Sequence, residues 1–403
     1  MNDRFASVRA IGYTDIEGVL PKVVPLADYS TPDVLICALG FEIRTIAFGE
    51  HARAAVSARK GQLAVYCEYK TNNADNNANR DPLLSFLSEH FERVLSGTSD
   101  DPAQLQTQLA GELTAIKPAH GTVLSVVVDI SAASGNLILS VFAVLFQVAR
   151  LRPMSCRVVY AEAGSYFPSA SDFAARGEAL VRQACASGDS ASLHEYGVED
   201  VEVNELYPGT ALEGREELIF AIPAYRTERL SRCLKRLSND PILQVGDRIF
   251  WILGQPADPA LSFRLEFQKR VVNRLLQGAD EAILQAPGLT ENNTSITSTL
   301  DYRQTARRLI ELADSNMGKT LSLVHMGSKM QGLGAALALA ARSEVAVCYA
   351  RPTSYNPVRY SGGIGPLWEV AFEDLGLVAE QLAKIGTLQM TTSVEGRTGR
   401  PPL

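Results

Sequence analysis

No two of the six cysteines stand at a C-x-x-C spacing, and the five histidines are scattered without the intervals of a ligand set. Zinc fingers, redox pairs and a disulfide framework therefore lose their usual sequence support. The absences continue among the signatures of cofactor and ester chemistry: there is no G-x-G-x-x-G, no P-loop and no G-x-S-x-G. A dinucleotide oxidoreductase, an NTPase or an α/β-hydrolase would ordinarily carry one of these. No apolar run reaches the ~20 residues that span a bilayer, and the opening MNDRFASVRA has no apolar signal-peptide core. The expectation is a cytoplasmic protein with no membrane contact, no metal and no cofactor.

The 403 residues are enough for two domains of ordinary size. Hydrophobic residues make up 46% and charged residues 21%, the balance of a soluble globular chain. A formal charge of −7 argues against an extended nucleic-acid surface and leaves room for a local basic pocket. Cys37, Cys67, Cys156 and Cys348 fall in predicted strands, where a reduced thiol acts as a small hydrophobe.

Read in order, residues 1–32 form a leader packed on a first domain, 33–171, which begins with the buried strand DVLICALGF. A helix over 44–57 and the strand LAVYCEY come next. The window TNNADNNANR, 71–80, carries five asparagines and reads as an exposed loop. Asp81 and Asp101, each followed by Pro, cap the helices DPLLSFLSEHFERVL and DPAQLQTQLAGELTAI. Then come a strand over 123–130, an apolar helix over 137–151 and a strand over 156–161. Residues 172–210 serve as a connection, and 211–403 form a second domain. There the strands ELIFAIPAY, RIFWILGQ and EAILQAP alternate with helices, a polar loop spans 290–299, and TLSLVHMG, an apolar helix and VAVCYA close the pattern.

The two halves repeat one outline. VLSVVVDISAASG, 123–135, aligns without a gap on TLSLVHMGSKMQG, 320–332; 35–41 matches 219–225, and VYAEAGSY matches CYARPTSY. Matches in one order point to a tandem duplication of an α/β unit with parallel sheets. The expected fold is α/β, two tandem Rossmann-like parallel-sheet units forming a pseudo-dimer, with ligands at the carboxyl ends of the strands.

Candidate site residues gather at those ends. Ser131, Ser134, Gly135 and Asn136 lie just past the strand that ends in Asp129, and hydroxyls and amides at a helix start suit phosphate or a polar ring edge. An ordinary helix cap by Asp129 or Ser131 is the plain alternative. In the second half the turn holds Ser328, Lys329 and Gln331, and Lys329 adds a cation where a phosphate would sit. Gly40 and Phe41 in the first half and Tyr225 in the second put an aromatic at a strand tip, either a platform for a base or a lid on the core. Arg44, Arg226 and Arg229 are phosphate partners or solvated helix charges. Tyr355 ends the second Ser-Tyr tail, and Arg359, Gly362 and Gly363 belong to a loop that either wraps an anion or simply turns into a helix around Trp368.

At its two strand-to-helix turns the chain resembles the CRISPR-associated Rossmann-fold (CARF) sensors and, by its duplication, the related SAVED domains. The family pattern of an acidic or amide residue, a hydroxyl, glycine and an amide or basic residue maps on Asp129, Ser131, Gly135 and Asn136, and again on Ser328, Lys329 and Gln331. The resemblance implies a nucleotide-derived ligand such as a cyclic oligonucleotide, held between two copies in bacterial anti-phage defence signalling. Those sensors are usually joined to an effector, whereas here two α/β units use nearly every residue. That leaves a stand-alone sensor with a separate effector protein as partner, a messenger-degrading enzyme, or a homologue with another ligand. The competing readings are an enzyme on a small nucleotide or sugar-phosphate with Asp129 or Glu42 as acid or base, and a scaffold that uses the asparagine-rich loop.

Overall fold

Two separate sheets carry the parallel strands, and each sheet arranges its own five in the same order. The computed structural model describes residues 12–27, 30–53, 59–119, 121–186, 193–237, 248–277 and 288–385. The chain first lays down β1 (Val24–Pro25), β2 (Val34–Leu39), β3 (Gly61–Glu68), β4 (Phe91–Thr98), β5 (Leu124–Asp129) and β6 (Met154–Ala161). Between them run α1 (Ile16–Val19), α2 (Ala47–Arg53), α3 (Asn73–Asn76), α4 (Arg80–His90), α5 (Pro102–Ala115) and α6 (Gly135–Ala149). A crossing region then holds β7 (Ser165–Tyr166), α7 (Ala170–Cys185), β8 (Glu195–Tyr196) and β9 (Asp200–Val203).

The second set is β10 (Glu217–Ile222), β11 (Ile249–Gln255), β12 (Thr294–Ser298), β13 (Thr320–His325) and β14 (Val345–Arg351). It is interleaved with α8 (Glu228–Leu237), α9 (Phe263–Gln277), α10 (Tyr302–Ser315) and α11 (Lys329–Ala341). The chain then adds β15 (Ser354–Tyr355), β16 (Ser361–Gly362), β17 (Leu367–Phe372) and α12 (Leu375–Lys384).

The first sheet runs β1-β17-β6-β5-β2-β3-β4 and the second β12-β11-β10-β13-β14-β9. In the first, the five strands from β6 to β4 pair in parallel; in the second, those from β12 to β14 do. Numbered within each half, both read 5-4-1-2-3, with the order reversing between strands 1 and 4. The sheets are mixed rather than purely parallel, which corrects the expectation: β17 joins β6 and β1 antiparallel, and β9 joins β14 antiparallel. These antiparallel strands cover sheet edges that would otherwise present unpaired backbone groups.

The central strand β2, VLICAL, is buried along its whole length, as a parallel strand covered on both faces must be. Helices α6 and α11 are apolar nearly all round, so both are buried. They pack on one another, and a single hydrophobic cluster runs through both halves, including Ile138, Val141, Leu333 and Leu337. The four strand cysteines are buried there or in neighbouring clusters.

Several expected elements differ. The segment FERVL, read as the end of a helix, opens β4, because α4 stops at His90 and pairing with β3 claims the residues beyond it. Asn79, not Asp81, precedes the first turn of α4, whereas Asp101 caps α5 by accepting from the Gln104 amide. The polar stretch 290–299 contains β12, whose alternating β-branched residues suit a sheet edge; the strand expected over 281–287 lies outside the described residues. Trp368, expected on a helix, lies in β17, where LWEVAF pairs with β6 in the first sheet. The asparagine-rich window forms α3 and a further turn, with Asn76 and Asn79 buried. Burial is tolerated because their amides donate to carbonyls: Asn76 to Thr71 (2.9 Å), Asn79 to Gly40 (2.8 Å).

Candidate functional site

The turns after β5 and β13 meet. A Cβ added to Gly135, the first residue of α6, would lie 2.6 Å from Nδ1 of His325, the last residue of β13, so only glycine permits this approach. The gap-free sequence alignment fails here. Ser134 caps α6 by accepting from the Leu137 amide (3.1 Å), and Ser328 caps α11 by accepting from Gln331 (3.0 Å). Four residues lie between Asp129 and its capping serine and two between His325 and its own, so the first turn is two residues longer.

Those extra residues turn inward. Ser131 is fully buried and its hydroxyl accepts from the Ala161 amide (2.8 Å), tying the turn to β6. Asp129 accepts from the Ser131 amide (2.9 Å), and burial pushes its carboxyl up to about 6. Neither residue lines a cavity at these strand ends.

Three cavities share this region, all at strand carboxyl ends. The largest, about 200 Å³, opens over β10, β11, β12 and β13 and is bordered by Tyr225, Arg226, Ser328 and Gln331, with Arg44 reaching in from the first half. A second, about 120 Å³, lies over β4, β5 and β14 and is bordered by Ser134, Gly135, Asn136, His325 and Tyr355. The third, about 50 Å³, sits at the tip of β2 beside Gly40, Phe41 and Glu42. Lys329 and Tyr360 border all three.

Lys329 reaches from the first turn of α11 into the other half, donating to the Ala133 carbonyl at 3.0 Å and standing 3.9 Å from Glu42 Oε2. Its side chain is 14% exposed. Burial, and then the Arg44 guanidinium, lower its ammonium to about 8, so it is a cation held near its titration point. For Glu42 burial works toward a raised pKa, yet Arg44 and Lys329 outweigh it and hold the carboxyl below its usual range. Arg44 donates to Glu42 at 2.6 and 3.0 Å and to the Ala161 carbonyl at 3.2 Å, and the Ser361 hydroxyl also donates to Glu42.

Two further arginine pairs border the large cavity. Arg226, fully buried, donates to Glu228 and to the Glu195 carbonyl, and Arg229 is paired with Glu195 at 2.7 Å. They serve the architecture before any ligand. Arg264, from the first turn of α9, is different: it is 8% exposed, borders the large cavity and has no carboxylate within 4 Å among the described residues. Its Nε donates to the Tyr225 hydroxyl (3.1 Å) and its Nη1 to the Phe167 carbonyl (3.4 Å), while its guanidinium lies over the rings of Tyr166 (5.0 Å) and Tyr225 (4.4 Å).

The aromatics fill as well as line. Phe41, Tyr355 and Tyr360 contact one another at ring separations of 5.5 to 5.7 Å over the tip of β2. Tyr360 touches His194 (5.9 Å), which touches Tyr225 (6.0 Å). Burial lowers both His194 and His325 to about 4, keeping them neutral. Tyr225 is already stacked on Phe267 at 5.2 Å with Arg264 over its ring, so its role is to hold the arginine.

Of the residues singled out from sequence, the strand ends bring together Gly40, Phe41, Glu42, Arg44, Ser134, Gly135, Asn136, Tyr225, Arg226, Ser328, Lys329, Gln331 and Tyr355. Asn136 there accepts from Asn204 (2.7 Å), and Gln331 is spent within its own turn and on Thr297 (3.1 Å). Arg359, Gly362 and Gly363 border none of the three cavities: Gly362 pairs in β16 with β7, and Arg359 lies over the Phe167 ring at 5.7 Å. Sequence reasoning missed Arg264 and His194, whereas Tyr166 was visible as the end of the first Ser-Tyr tail. Arg264 is one of several charged residues on α9, and the usable signal is its place three and four residues before the buried Phe267 and Gln268, on the inward face.

Among the described residues no group of histidine, cysteine and carboxylate side chains is placed to hold a metal, and no helix is long and apolar enough to cross a membrane. No protein-family model matches the chain, and no curated protein is recognisably similar. Among solved structures it is similar to the cytoplasmic domain of a prokaryotic cation chloride cotransporter, at 7% identity over 80% of this chain and 96% of that one, with a TM-score of 0.23, a likeness too slight to carry an argument.

Proposed function

We propose that the cleft binds a nucleotide-derived anionic ligand, with two Rossmann-like halves acting as a pseudo-dimer around it. The observation that carries this reading is Lys329, a nearly buried cation at the common border of three cavities, held by one carbonyl and a carboxylate 3.9 Å away. A cation so weakly paired in a low-dielectric site favours an incoming phosphate. Its place at the start of α11 adds the favourable end of a helix dipole. The identical strand order of the halves and the location at the order reversal support the same class of ligand.

The test is titration calorimetry against a panel of cyclic and linear nucleotides. The reading expects heat with at least one of them and about a tenfold or greater loss in Lys329→Ala, the weight of one charge-assisted contact. No heat with any of them would remove it. Catalysis finds less support at the two nominated residues: Glu42 is engaged by Arg44 and Ser361, and Asp129 lies outside the cavities.

A further inference from the structure

Two halves with one strand order would offer a two-fold symmetric ligand two equal lobes. They do not. The lobe over the second sheet measures about 200 Å³, whereas its counterpart at the tip of β2 measures about 50 Å³, room for a few water molecules. The small lobe is closed by Phe41, Tyr355 and Tyr360 in mutual contact, and Tyr355 is fixed from below by Asn72, which accepts from its amide (2.6 Å) and donates to its carbonyl (3.0 Å). The plug is therefore part of the built structure.

The large lobe has what the small one lacks, a nearly buried arginine with no carboxylate within 4 Å among the described residues, although Glu162 and Asp258 border the same lobe. Arg264 uses one N–H of Nε and one of Nη1, and its Nη2 has no hydrogen-bond partner among the described residues. The guanidinium is nine-tenths buried, and its unused donors face the cavity, where an anion can take the place of solvent. Two rings hold it in place, so its fork is pre-oriented for a bidentate acceptor.

We infer that the ligand is linear and asymmetric: a terminal phosphate sits on Arg264 in the large lobe, and the chain of the nucleotide passes Lys329 toward the 120 Å³ cavity over β5 and β14. This rests on the nucleotide reading above and narrows it, since a cyclic oligonucleotide has no terminal phosphate and needs the lobe that is plugged. Arg264 then reads the chain end and Lys329 reads an internal phosphodiester.

The experiment compares three adenylate probes by calorimetry on the full chain: the linear 5′-phosphorylated dinucleotide pApA, the unphosphorylated ApA, and cyclic di-AMP. The expected result is one pApA per chain, with ApA and the cyclic probe each weaker by about tenfold or more. Arg264→Gln should erase the pApA advantage by weakening pApA alone, Arg264→Lys should keep part of it, and Lys329→Ala should weaken pApA and ApA by a similar factor. Thermal melting of each variant separates loss of binding from loss of folding. Cyclic di-AMP binding more tightly than pApA, or Arg264→Gln weakening pApA and ApA equally, overturns this inference while leaving the nucleotide reading standing. Silence with all three probes and with the wider panel overturns both.

Discussion

The lobe over the second sheet holds about 200 Å³ and the equivalent place over the first about 50 Å³, although the strands beneath them run in the same order. The difference lies in the residues at the exit of each first strand. After β2 comes Gly-Phe-Glu, whose ring joins Tyr355 and Tyr360 and whose carboxylate anchors Arg44. After β10 comes Pro-Ala-Tyr-Arg, whose tyrosine backs Arg264 and leaves the space above free. The two sheets share a strand order while the turns at their carboxyl ends differ, one filled by packed rings and the other left open as a cavity.

The comparison can be broken most forcefully at the buried ion pairs. Arg226→Ala leaves Glu228 buried without its arginine and should cost about 3–5 kcal/mol in urea unfolding. Arg44→Ala should cost less, because Lys329 and Ser361 still face Glu42. Equal losses would show that the first half's network is no more redundant than the second's.

Removing the plug comes next. Phe41 is half-buried, and Phe41→Ala should cost about 2 kcal/mol, a fraction of a fully buried phenylalanine. Binding should remain at one ligand per chain, because the cation bordering the enlarged lobe, Lys329, already serves the larger one. A second equivalent of bound nucleotide would mean the halves are closer in function than their present volumes indicate.

A subtler lever is pH. With its ammonium at about 8, Lys329 is charged below that pH and neutral above it, so anion affinity should fall about tenfold between pH 7 and pH 9. Titrations at the two pH values check this, and the slope should vanish in Lys329→Ala. The smallest effect is expected at the longer turn. Asp129→Asn keeps an oxygen for the Ser131 amide, so stability should change by about 1 kcal/mol or less and nucleotide affinity not at all. A loss of affinity there would add Asp129 to the site.

The α/β alternation and the pairing of the two turns were legible because β-branched runs closing on serine and glycine have one economical reading. The covering strands were not. FERVL has helical composition and becomes β4 only because β3 offers an edge, and Trp368 lies in β17 because the chain returns to the first sheet, a long-range choice absent from any local window. Buried asparagines at 76 and 79 were hidden by a rule of composition, since the carbonyls that satisfy them come from folded neighbours. Lys329 was visible from its place in a repeated turn, whereas Arg264 was one arginine among several on its helix until the fold turned it inward.

The most direct test is a crystal structure of the chain grown with pApA. Nucleotide binding at the shared border predicts phosphate oxygens within hydrogen-bond reach of Lys329 Nζ, on the side now turned to Ala133 and Glu42, with Phe41, Tyr355 and Tyr360 unmoved. Nucleotide bound at full occupancy elsewhere on the surface, with Lys329 still on the Ala133 carbonyl, would contradict it.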